Sequence, residues 1–341
     1  MGLNSVYYQN LFMRILIIND TKIPVEGYGG TERVIWYLGE ELSKMGHEVT
    51  FLVREGSTCP FAKVQFLQPN LSLAQQISND YDIIHANYQE KSISSLGIPY
   101  LFTFHGNRNN LEPLDIQTIF VSENHANRFG SQAFVYNGLN WDDYGKPNWN
   151  QKKAYFHFLG KAAWRVKNVQ GAIDAILKTP TEQLKVLGGV RFNFKMGLRF
   201  TFSPRIQFYE SVGGEEKNQL LQGSKGLIFP VKWHEPFGLA ITESLYFGCP
   251  VFGTPYGSLK ELVTPEVGFL SSSTKEISNA LLHANDFNAK FCHDYAVEQF
   301  NSKKMAVKYL SFYEKAINGE RLNEFPPVCQ KIQTEKFLPW S

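Results

Sequence analysis

The stretch HEPFGLAITE, from His234 to Glu243, places two carboxylates eight residues apart around a Pro-Phe-Gly turn. Pro236 suits the first turn of a helix, where a missing N–H group loses no partner. We therefore predict a helix that begins there and whose first N–H groups bind phosphate or sugar oxygens. Those groups belong to Phe237, Gly238 and Leu239. Along one continuous helix Glu235 and Glu243 would lie about 12 Å apart, which leaves room for a pyrophosphate between a sugar and a ribose.

Apolar runs that are typical of strands occur on both sides of this stretch. Runs such as RILIIN are continuous, which indicates strands buried on both faces of a parallel sheet. The first half of the chain has these runs at Arg14–Asn19, Glu48–Val53, Tyr81–Ala86, Pro99–Gly106, Thr118–Ser122 and Ala133–Gly138. The second half has them at Tyr155–Gly160, Leu184–Gly189, Arg205–Glu210, Gly226–Pro230 and Pro250–Thr254. Helices are predicted between them, from the Gly-rich turn at Gly27–Val34 to Met45 and at Asn168–Leu177, Gly214–Gln222, Gly238–Phe247, Lys275–Ala284 and Ser302–Ile317.

This alternation predicts an α/β fold with two doubly wound parallel-sheet domains. The polar, Pro-bearing segment Asn140–Lys153 has no periodicity and is interpreted as the linker. We place the first domain at residues 1–147 and the second at 148–318. Residues 1–12 precede a second methionine and form a leader, and the tail 319–341 can pack back on the first domain.

Composition narrows the class of protein. The 341 residues have a formal net charge of only +2, which argues against a nucleic-acid binder. The four cysteines form no CxxC pair, so neither a metal site nor a set of disulfides is expected. We read no signal peptide and no apolar run of membrane-spanning length. The expected location is the cytoplasm, with a peripheral position at the inner face of a membrane left open.

Gly29 and Gly30 form a second candidate site, in front of the first predicted helix. Adjacent glycines let backbone N–H groups approach an anion, and the helix N-terminus adds partial positive charge. A plain tight turn is the alternative. Because open α/β sheets bind ligands at the carboxyl ends of their strands, we expect the site in a cleft between the domains. A Rossmann oxidoreductase is disfavoured, since no G-x-G-x-x-G follows the first strand.

The stretch HEPFGLAITE resembles the E-x7-E signature of retaining glycosyltransferases with the GT-B fold, most of all glycosyltransferase family 4. Five further segments are similar to family motifs and occur in the family's order: GYGGTERV (Gly27–Val34), FTFHG (Phe102–Gly106), FVYNGLN (Phe134–Asn140), FLGKAAWRVKN (Phe158–Asn168) and GCPVFGTPYGSLKELV (Gly248–Val263). With the final YEKAI they span about residues 13–318. The resemblance implies two Rossmann-like domains that face each other across a cleft, the first for the acceptor and the second for the donor.

The resemblance also implies residue roles. Glu243 would accept hydrogen bonds from the donor ribose, and Glu235 would contact the transferred sugar beside the backbone N–H groups of Phe237, Gly238 and Leu239. Lys161 and Lys167 would neutralise the departing diphosphate. Gly29 and Gly30 would approach the diphosphate or the sugar, and His105, at a strand end, would lie beside the sugar. The implied catalytic residues are therefore His105, Lys161, Lys167 and Glu235.

Three departures from the family pattern qualify these roles. Lys161 stands where the family usually has arginine. A guanidinium, which can bind a phosphate through two N–H groups, is thus replaced by an ammonium ion, which acts as a point charge. The segment that follows is one residue longer than usual, so Arg165 competes with Lys167. Gly257-Ser258 lacks the second glycine of the usual turn.

For several polar residues, a purely structural role is the alternative to a role in the active site. A lone histidine at a strand end, such as His105, is often simply packed, and the same holds more strongly for His85. Asn19 borders the first loop, and Asp142-Asp143 is read as a solvated turn rather than a metal motif. We therefore expect no metal and no cofactor, with lysines and helix dipoles in the place of a metal.

The segment RFNFKMGLRFTFSPR has apolar residues at every even position from Phe192 to Phe202, which predicts a two-faced strand or hairpin. Arg191, Lys195 and Arg199 lie on odd positions. These three residues form either an ordinary solvated face or a basic patch that contacts a membrane surface or an anionic acceptor.

The leading hypothesis is metal-independent transfer of a sugar, with retention, from a nucleotide-diphosphate sugar to a glycan, lipid-linked or small-molecule hydroxyl. A UDP-sugar donor and a place in cell-surface polysaccharide synthesis are favoured by the family alone. The alternative is a non-catalytic protein of the same fold that binds a nucleotide sugar or a partner.

Overall fold

The structure is a computed structural model that describes residues 12–25, 29–194 and 198–341. The chain forms two compact units. Unit 1 contains the described residues up to Asn140 together with Asn301–Ile332, and unit 2 contains Trp141–Phe300 and Gln333–Ser341. The chain therefore passes from one unit to the other three times.

Unit 1 is built on a six-stranded sheet whose strands all pair in parallel. The strands are β1 (Arg14–Ile18), β2 (Glu48–Val53), β3 (Lys63–Phe66), β4 (Ile83–Ala86), β5 (Tyr100–Phe104) and β6 (Thr118–Phe120), in the order β3-β2-β1-β4-β5-β6. Helices α1 (Gly30–Lys44) and α2 (Leu73–Gln76) lie between these strands in the chain, and α3 (Glu123–Arg128) follows β6. The switch point, where the strand order reverses, lies between β1 and β4.

Unit 2 repeats this topology with a second six-stranded parallel sheet, in the order β11-β8-β7-β12-β13-β14. Its elements in chain order are β7 (Tyr155–Leu159), α4 (Val169–Leu177), β8 (Leu184–Leu187), β9 (Phe192–Asn193), β10 (Arg199–Phe200), β11 (Ile206–Tyr209), α5 (Gly214–Gln222), β12 (Ser224–Phe229), α6 (Leu239–Tyr246), β13 (Val251–Gly253), α7 (Leu259–Leu262), β14 (Gly268–Leu270), α8 (Thr274–Leu281) and α9 (Ala289–Gln299). Here the switch point lies between β7 and β12.

The central strands are buried on both faces, as their continuous apolar runs predict. Residues Ile15 to Ile18 of β1 have no exposed surface, and the same holds for Phe156 and Phe158 of β7. Helices α4 and α8 pack their apolar faces on the sheet of unit 2 around Ile173. The predicted fold, two doubly wound parallel α/β sheets, is confirmed.

The last helix, α10 (Ser302–Ile317), belongs to unit 1, although the predicted boundary assigned it to the second domain. The reason is a buried polar network that its sequence pattern did not reveal. Tyr313 Oη lies 2.7 Å from His85 Nδ1, and Tyr309 Oη lies 2.9 Å from Thr103 Oγ1, which in turn lies 2.7 Å from His85 Nε2. The tail after α10 is divided, with residues up to Ile332 in unit 1 and Gln333–Ser341 in unit 2.

Short and edge elements account for most differences from the predicted strands. The segment 133–138 forms no strand and only a bridge between Phe120 and Phe134. Strand β3 was not predicted because its sequence, KVQF, is largely exposed at the sheet edge. Strand β14 has only three residues. Residues 1–11 of the predicted leader lie outside the described residues.

The predicted hairpin at 191–205 is confirmed as the antiparallel pair β9–β10, with Lys195 outside the described residues. Its even positions face outward, so Phe194 and Phe202 are 70% and 80% exposed. The arginines turn inward instead. Arg191 donates to the backbone oxygens of Thr201, Ser203 and Ile206, and Arg199 donates to that of Val190. Contact with a membrane or an anionic acceptor through Arg191, Lys195 and Arg199 stays a prediction, while the outward face of the hairpin is apolar.

Within residues 12–25, 29–194 and 198–341, no helix is long and apolar enough to cross a membrane.

Candidate active site

Most of the residues singled out in the sequence lie at the carboxyl ends of β7 and β12, the two strands at the switch point of unit 2. The loop after β7 carries Lys161, Arg165 and Lys167, and the loop after β12 carries Glu235. Asn168 joins these loops, since its Nδ2 donates to Pro230 O at 2.9 Å while its Oδ1 caps α4. Ligands of doubly wound sheets bind at such switch points.

Lys167 and Glu235 form a direct ion pair. Lys167 Nζ lies 2.6 Å from Glu235 Oε2, and both side chains are at most 10% exposed. Trp233 Nε1 donates to the same oxygen at 2.8 Å. The ammonium also faces the rings of Trp233 and Phe229, at 5.2 and 5.1 Å from their centres. Lys167, which the resemblance assigns to the diphosphate, therefore contacts Glu235, which it assigns to the transferred sugar.

Lys161 and Arg165 are exposed, unlike Lys167. Lys161 Nζ lies 5.3 Å from the ring centre of Trp164, and the Arg165 guanidinium lies 5.1 Å from that of Phe337. Lys232, which sequence reasoning missed, faces the same Phe337 ring at 4.5 Å. Burial and the neighbouring Arg165 charge lower the pKa of Lys232. Arg165 and Lys232 therefore meet at one aromatic ring, with Lys232 in the segment that leads from β12 to Glu235, and each of the three cations faces an aromatic ring.

The turn before α6 differs from the predicted helix start. The helix begins at Leu239, because Gly238 has φ +90°, a left-handed conformation that no helical residue adopts. Pro236 therefore lies outside the helix, and the separation of about 12 Å that assumes a continuous helix does not apply. A Cβ on Gly238 would lie 3.1 Å from Ile241 Cδ1, so glycine also fits the space. The start of α6 still directs its first N–H groups to this turn.

The loop after β13 packs on the backbone around Glu235. Gly257 has φ +63°, and a Cβ there would lie 2.3 Å from the Glu235 N and O atoms. Ser258 N donates to Glu235 O at 2.9 Å, and Ser258 Oγ donates to Phe237 O at 2.6 Å. The serine that replaces the usual second glycine thus fixes the turn that carries Glu235.

Glu243 lies on α6, where its carboxylate is buried and hydrogen-bonded. Tyr144 Oη donates to Glu243 Oε1 at 2.7 Å, and Lys217 on α5 forms a short ion pair with the same oxygen. Below α6, His157 Nε2 lies 2.8 Å from Ser244 Oγ and Nδ1 lies 2.6 Å from Ser224 Oγ. Burial lowers the pKa of His157 to about 3, so a neutral imidazole ties α6 to β12.

Models of two known protein families match this chain. The family model for glycosyl transferases group 1 matches residues 140–289, and that for glycosyltransferase family 4 matches residues 28–134. The chain is a GT-B glycosyltransferase. No curated protein matched the chain significantly.

Solved glycosyltransferases share this architecture at low sequence identity. AviGT4, involved in avilamycin A biosynthesis, is 18% identical over 90% of this chain and 98% of its own, with a TM-score of 0.70. Sucrose-phosphate synthase from Thermosynechococcus elongatus is 16% identical over 90% and 100%, with the same TM-score. Anabaena HepE in complex with UDP and glucose is 16% identical over 89% and 99%, with a TM-score of 0.67.

In unit 1 of this glycosyltransferase, His105 follows β5 and lies 2.9 Å from Asn87 Oδ1 through its Nε2. Asn87 Nδ2 donates to Ile18 O, so its Oδ1 is the acceptor and His105 Nε2 carries the proton. Burial lowers the pKa of His105 to about 4. The imidazole is therefore neutral near pH 7, with Nδ1 as its unprotonated nitrogen.

The remaining candidates of unit 1 are placed as follows. Gly29 caps α1 in an extended conformation and a Cβ there would lie 2.3 Å from Val25 Cγ2, while Gly30 is the first residue of α1. Gly27, in the same motif, lies outside the described residues. Asn19 donates from Nδ2 to Thr21 Oγ1, and His85 is held in the network under α10.

Across the described parts of the chain, no group of three His, Cys, Asp or Glu side chains has the geometry of a metal site. Asp142 and Asp143 lie in a short 3-10 turn at the start of unit 2.

Proposed function

We propose that this glycosyltransferase belongs to family 4 and transfers a hexosyl group, with retention of configuration, from a nucleotide-diphosphate sugar to an acceptor hydroxyl. The observation that carries the proposal is the pair of buried carboxylates, Glu235 and Glu243, at the turn and on the helix that follow β12. Each is held by a lysine, and Arg165 and Lys232 face a common aromatic ring in the same unit. Such an arrangement suits a ligand with hydroxyl groups at both ends and phosphates in between.

Each group has a role in this proposal. Glu243 accepts hydrogen bonds from the ribose, and Glu235 contacts the hydroxyls of the transferred sugar. The diphosphate draws Lys167 partly away from Glu235, and Lys161 and Arg165 stabilise the negative charge that develops as the nucleotide leaves. Lys232 supplies further positive charge that stabilises the leaving nucleotide. The first N–H groups of α6 complete the cradle.

The donor is proposed to be a UDP-sugar. Structures of Anabaena HepE contain UDP, UDP with glucose, and UDP-glucose, and HepE shares the fold of this chain. The cations and helix N-terminus of unit 2 are proposed to make a divalent metal unnecessary. Added EDTA should then leave the transfer rate unchanged, and loss of activity that Mg²⁺ or Mn²⁺ restores would contradict metal independence.

The acceptor is proposed to be a glycan, a lipid-linked sugar or a small molecule that carries a free hydroxyl. The outward apolar face of the β9–β10 hairpin favours a lipid-linked acceptor at a membrane surface. Four phenylalanines on this face contact one another, with ring centres 5.6–6.1 Å apart. With Arg191 and Arg199 turned inward, contact would rest on apolar burial more than on attraction to anionic lipids.

Variants of the two glutamates test the function. Glu243→Gln should weaken binding of the product nucleotide and raise KM, because ribose contacts are made equally in the ground and transition states. Glu235→Gln should chiefly lower kcat, by roughly ten- to 150-fold, since it removes a hydrogen bond to a charged group near the reacting sugar.

Calorimetric titration with UDP, GDP and ADP, together with a transfer assay, distinguishes the outcomes. If Glu235→Gln weakens nucleotide binding and Glu243→Gln does not, the two roles are reversed. If the wild-type protein binds a nucleotide sugar but turns none over, the non-catalytic alternative is correct.

A further inference from the structure

Glu243 is held by two residues that lie outside the signature motif and that the proposed function does not yet use. Lys217 Nζ forms an ion pair with Glu243 Oε1, and both side chains are 6% exposed. Tyr144 Oη donates to the same oxygen at 2.7 Å. The ammonium also faces the Tyr144 ring, 4.9 Å from its centre. Two donors from different elements therefore converge on one oxygen of one carboxylate.

The elements that carry these donors are themselves fixed to one another. Asn218 Nδ2 donates to Tyr144 O at 3.1 Å, which ties α5 to the short 3-10 turn that ends at Tyr144. Trp141, at the start of that turn, stacks on Tyr246 of α6 with ring centres 4.5 Å apart. Tyr246 Oη donates to Gly145 O at 2.7 Å. The direction of the Glu243 carboxylate is therefore set by the positions of α5 and the turn, not by its own rotamer preference alone.

A buried ion pair seldom makes a fold more stable than an apolar pair at the same position would. Removing two charges from water is costly, and an apolar pair of similar size often stabilises a fold equally well. Lys217 sits on a helix whose neighbouring inward residues, Leu220 and Leu221, are apolar. A carboxylate placed in such surroundings without a cation would favour its protonated form. Lys217 therefore keeps Glu243 ionised at a buried position.

We propose that Lys217 and Tyr144 are positioning residues that make Glu243 a sensor of the ribose. Lys217 keeps the carboxylate charged, and together with Tyr144 it fixes Oε1, so that the carboxylate is aligned to accept hydrogen bonds from ribose hydroxyls. The inference rests on the proposed function, because it assigns Glu243 to the nucleotide ribose. It predicts that selectivity for ribonucleotides over 2′-deoxyribonucleotides depends on both residues.

The test is calorimetric titration of the full chain with UDP and with 2′-deoxy-UDP, at several pH values from 6 to 8.5. The wild type should prefer UDP by a ratio that is constant over this range. Lys217→Met should reduce the ratio by roughly ten- to 150-fold or abolish it, most strongly at low pH, where the uncompensated carboxylate is protonated. In this variant the ratio should recover as the pH rises and the Glu243 carboxylate ionises.

Tyr144→Phe removes one hydrogen bond and no charge, so it should lower the ratio without any pH dependence. Lys217→Arg restores a cation and should recover much of the selectivity. Lys225→Met is the matched control, because Lys225 forms an ion pair with Glu182 in the same unit, at 2.8 Å and with 24% and 17% exposure, away from Glu243. This control should keep the wild-type ratio.

Each outcome decides one question. A wild type that binds neither UDP nor its deoxy form, nor the GDP and ADP pairs, overturns the proposed function and not this inference alone. A wild type that discriminates, with Lys217→Met and Tyr144→Phe equally selective, overturns the inference. If Lys217→Met does not fold, as circular dichroism would show, an unchanged ratio in Tyr144→Phe is sufficient to overturn it.

Discussion

Replacing Lys167 with methionine is expected to destabilise unit 2 by about 3–5 kcal/mol, because it leaves the buried carboxylate of Glu235 without its cation. The pair is 2.6 Å apart, and the side chains are 10% and 7% exposed, so solvent screens the interaction little. After the substitution Trp233 Nε1 still donates to Glu235, which places the expected loss toward the lower end of the range. For a domain of 150–250 residues this corresponds to a fall in Tm of roughly 6–20 °C.

Calorimetric unfolding of Lys167→Met, of Glu235→Leu and of the double variant measures this effect. The double variant should recover most of the stability lost by either single one, since no uncompensated charge remains. Lys225→Met, at the less buried ion pair, should cost about 1 kcal/mol or less. If Lys167→Met loses less than about 1 kcal/mol, or if the single effects simply add, the two charges are solvated in solution and the reasoning fails.

Three further results are expected. His125 is 1% exposed among the rings of Phe104 and Phe120, and among the described residues neither ring nitrogen has a well-aligned hydrogen-bond partner, with only a weak interaction from the backbone of Gly106. His125→Phe should therefore raise the free energy of unfolding by about 1–3 kcal/mol in a denaturant titration, whereas a destabilised variant would show that the imidazole has a strong partner. Burial lowers the pKa values of His85 and His125 to about 3, from an unfolded value near 6.5, so both imidazoles are neutral in the folded state. The free energy of unfolding should therefore be highest above pH 6.5 and fall as the pH drops toward 3, with a slope that approaches about 1.4 kcal/mol per pH unit for each histidine. A free energy of unfolding of unit 1 that stays constant between pH 6 and 4 would contradict this. Changing Phe194 and Phe202 to serine should reduce binding to lipid vesicles with little dependence on salt and spare turnover of a soluble acceptor, and a wild type that binds no vesicles would end the membrane hypothesis.

The fold could be predicted from the sequence where strands are fully buried. The runs at β1, β2 and β7 are mostly apolar, which is the pattern of a strand covered on both faces. The bounds of α10, which the Asn301 side chain caps, are those predicted. Of the four edge strands, β6 and β11 were predicted, whereas β3 and β14 were missed, because a short or largely exposed run carries no such pattern. The assignment of α10 could not be predicted, since the network that holds it pairs Tyr313 with a histidine more than 200 positions away in sequence.

Prediction of the candidate site was limited in the same way. The signature motif located both glutamates, because their spacing and the Pro-Phe-Gly turn are local in sequence. Lys217 and Lys232 were missed, since a single lysine on a helix or after a strand is indistinguishable from a solvated one until the fold brings it to a carboxylate or an aromatic ring. The predicted helix Gly238–Phe247 agrees with α6 to within one residue, but extending its first turn back to Pro236 was wrong, because Gly238 adopts a left-handed conformation.

The three passages of the chain between the units have a consequence for synthesis on the ribosome. Unit 1 needs α10 and the segment up to Ile332, where Leu114 N donates to Pro327 O, and unit 2 needs Gln333–Ser341, whose Trp340 packs on the core around Ile173. Domains of multidomain proteins generally fold one after another as the chain emerges. Here the first 300 residues emerge before either unit has all its parts. The apolar surfaces that α10 covers in unit 1 and that Trp340 covers in unit 2 are therefore uncovered until residues 301–341 have been added.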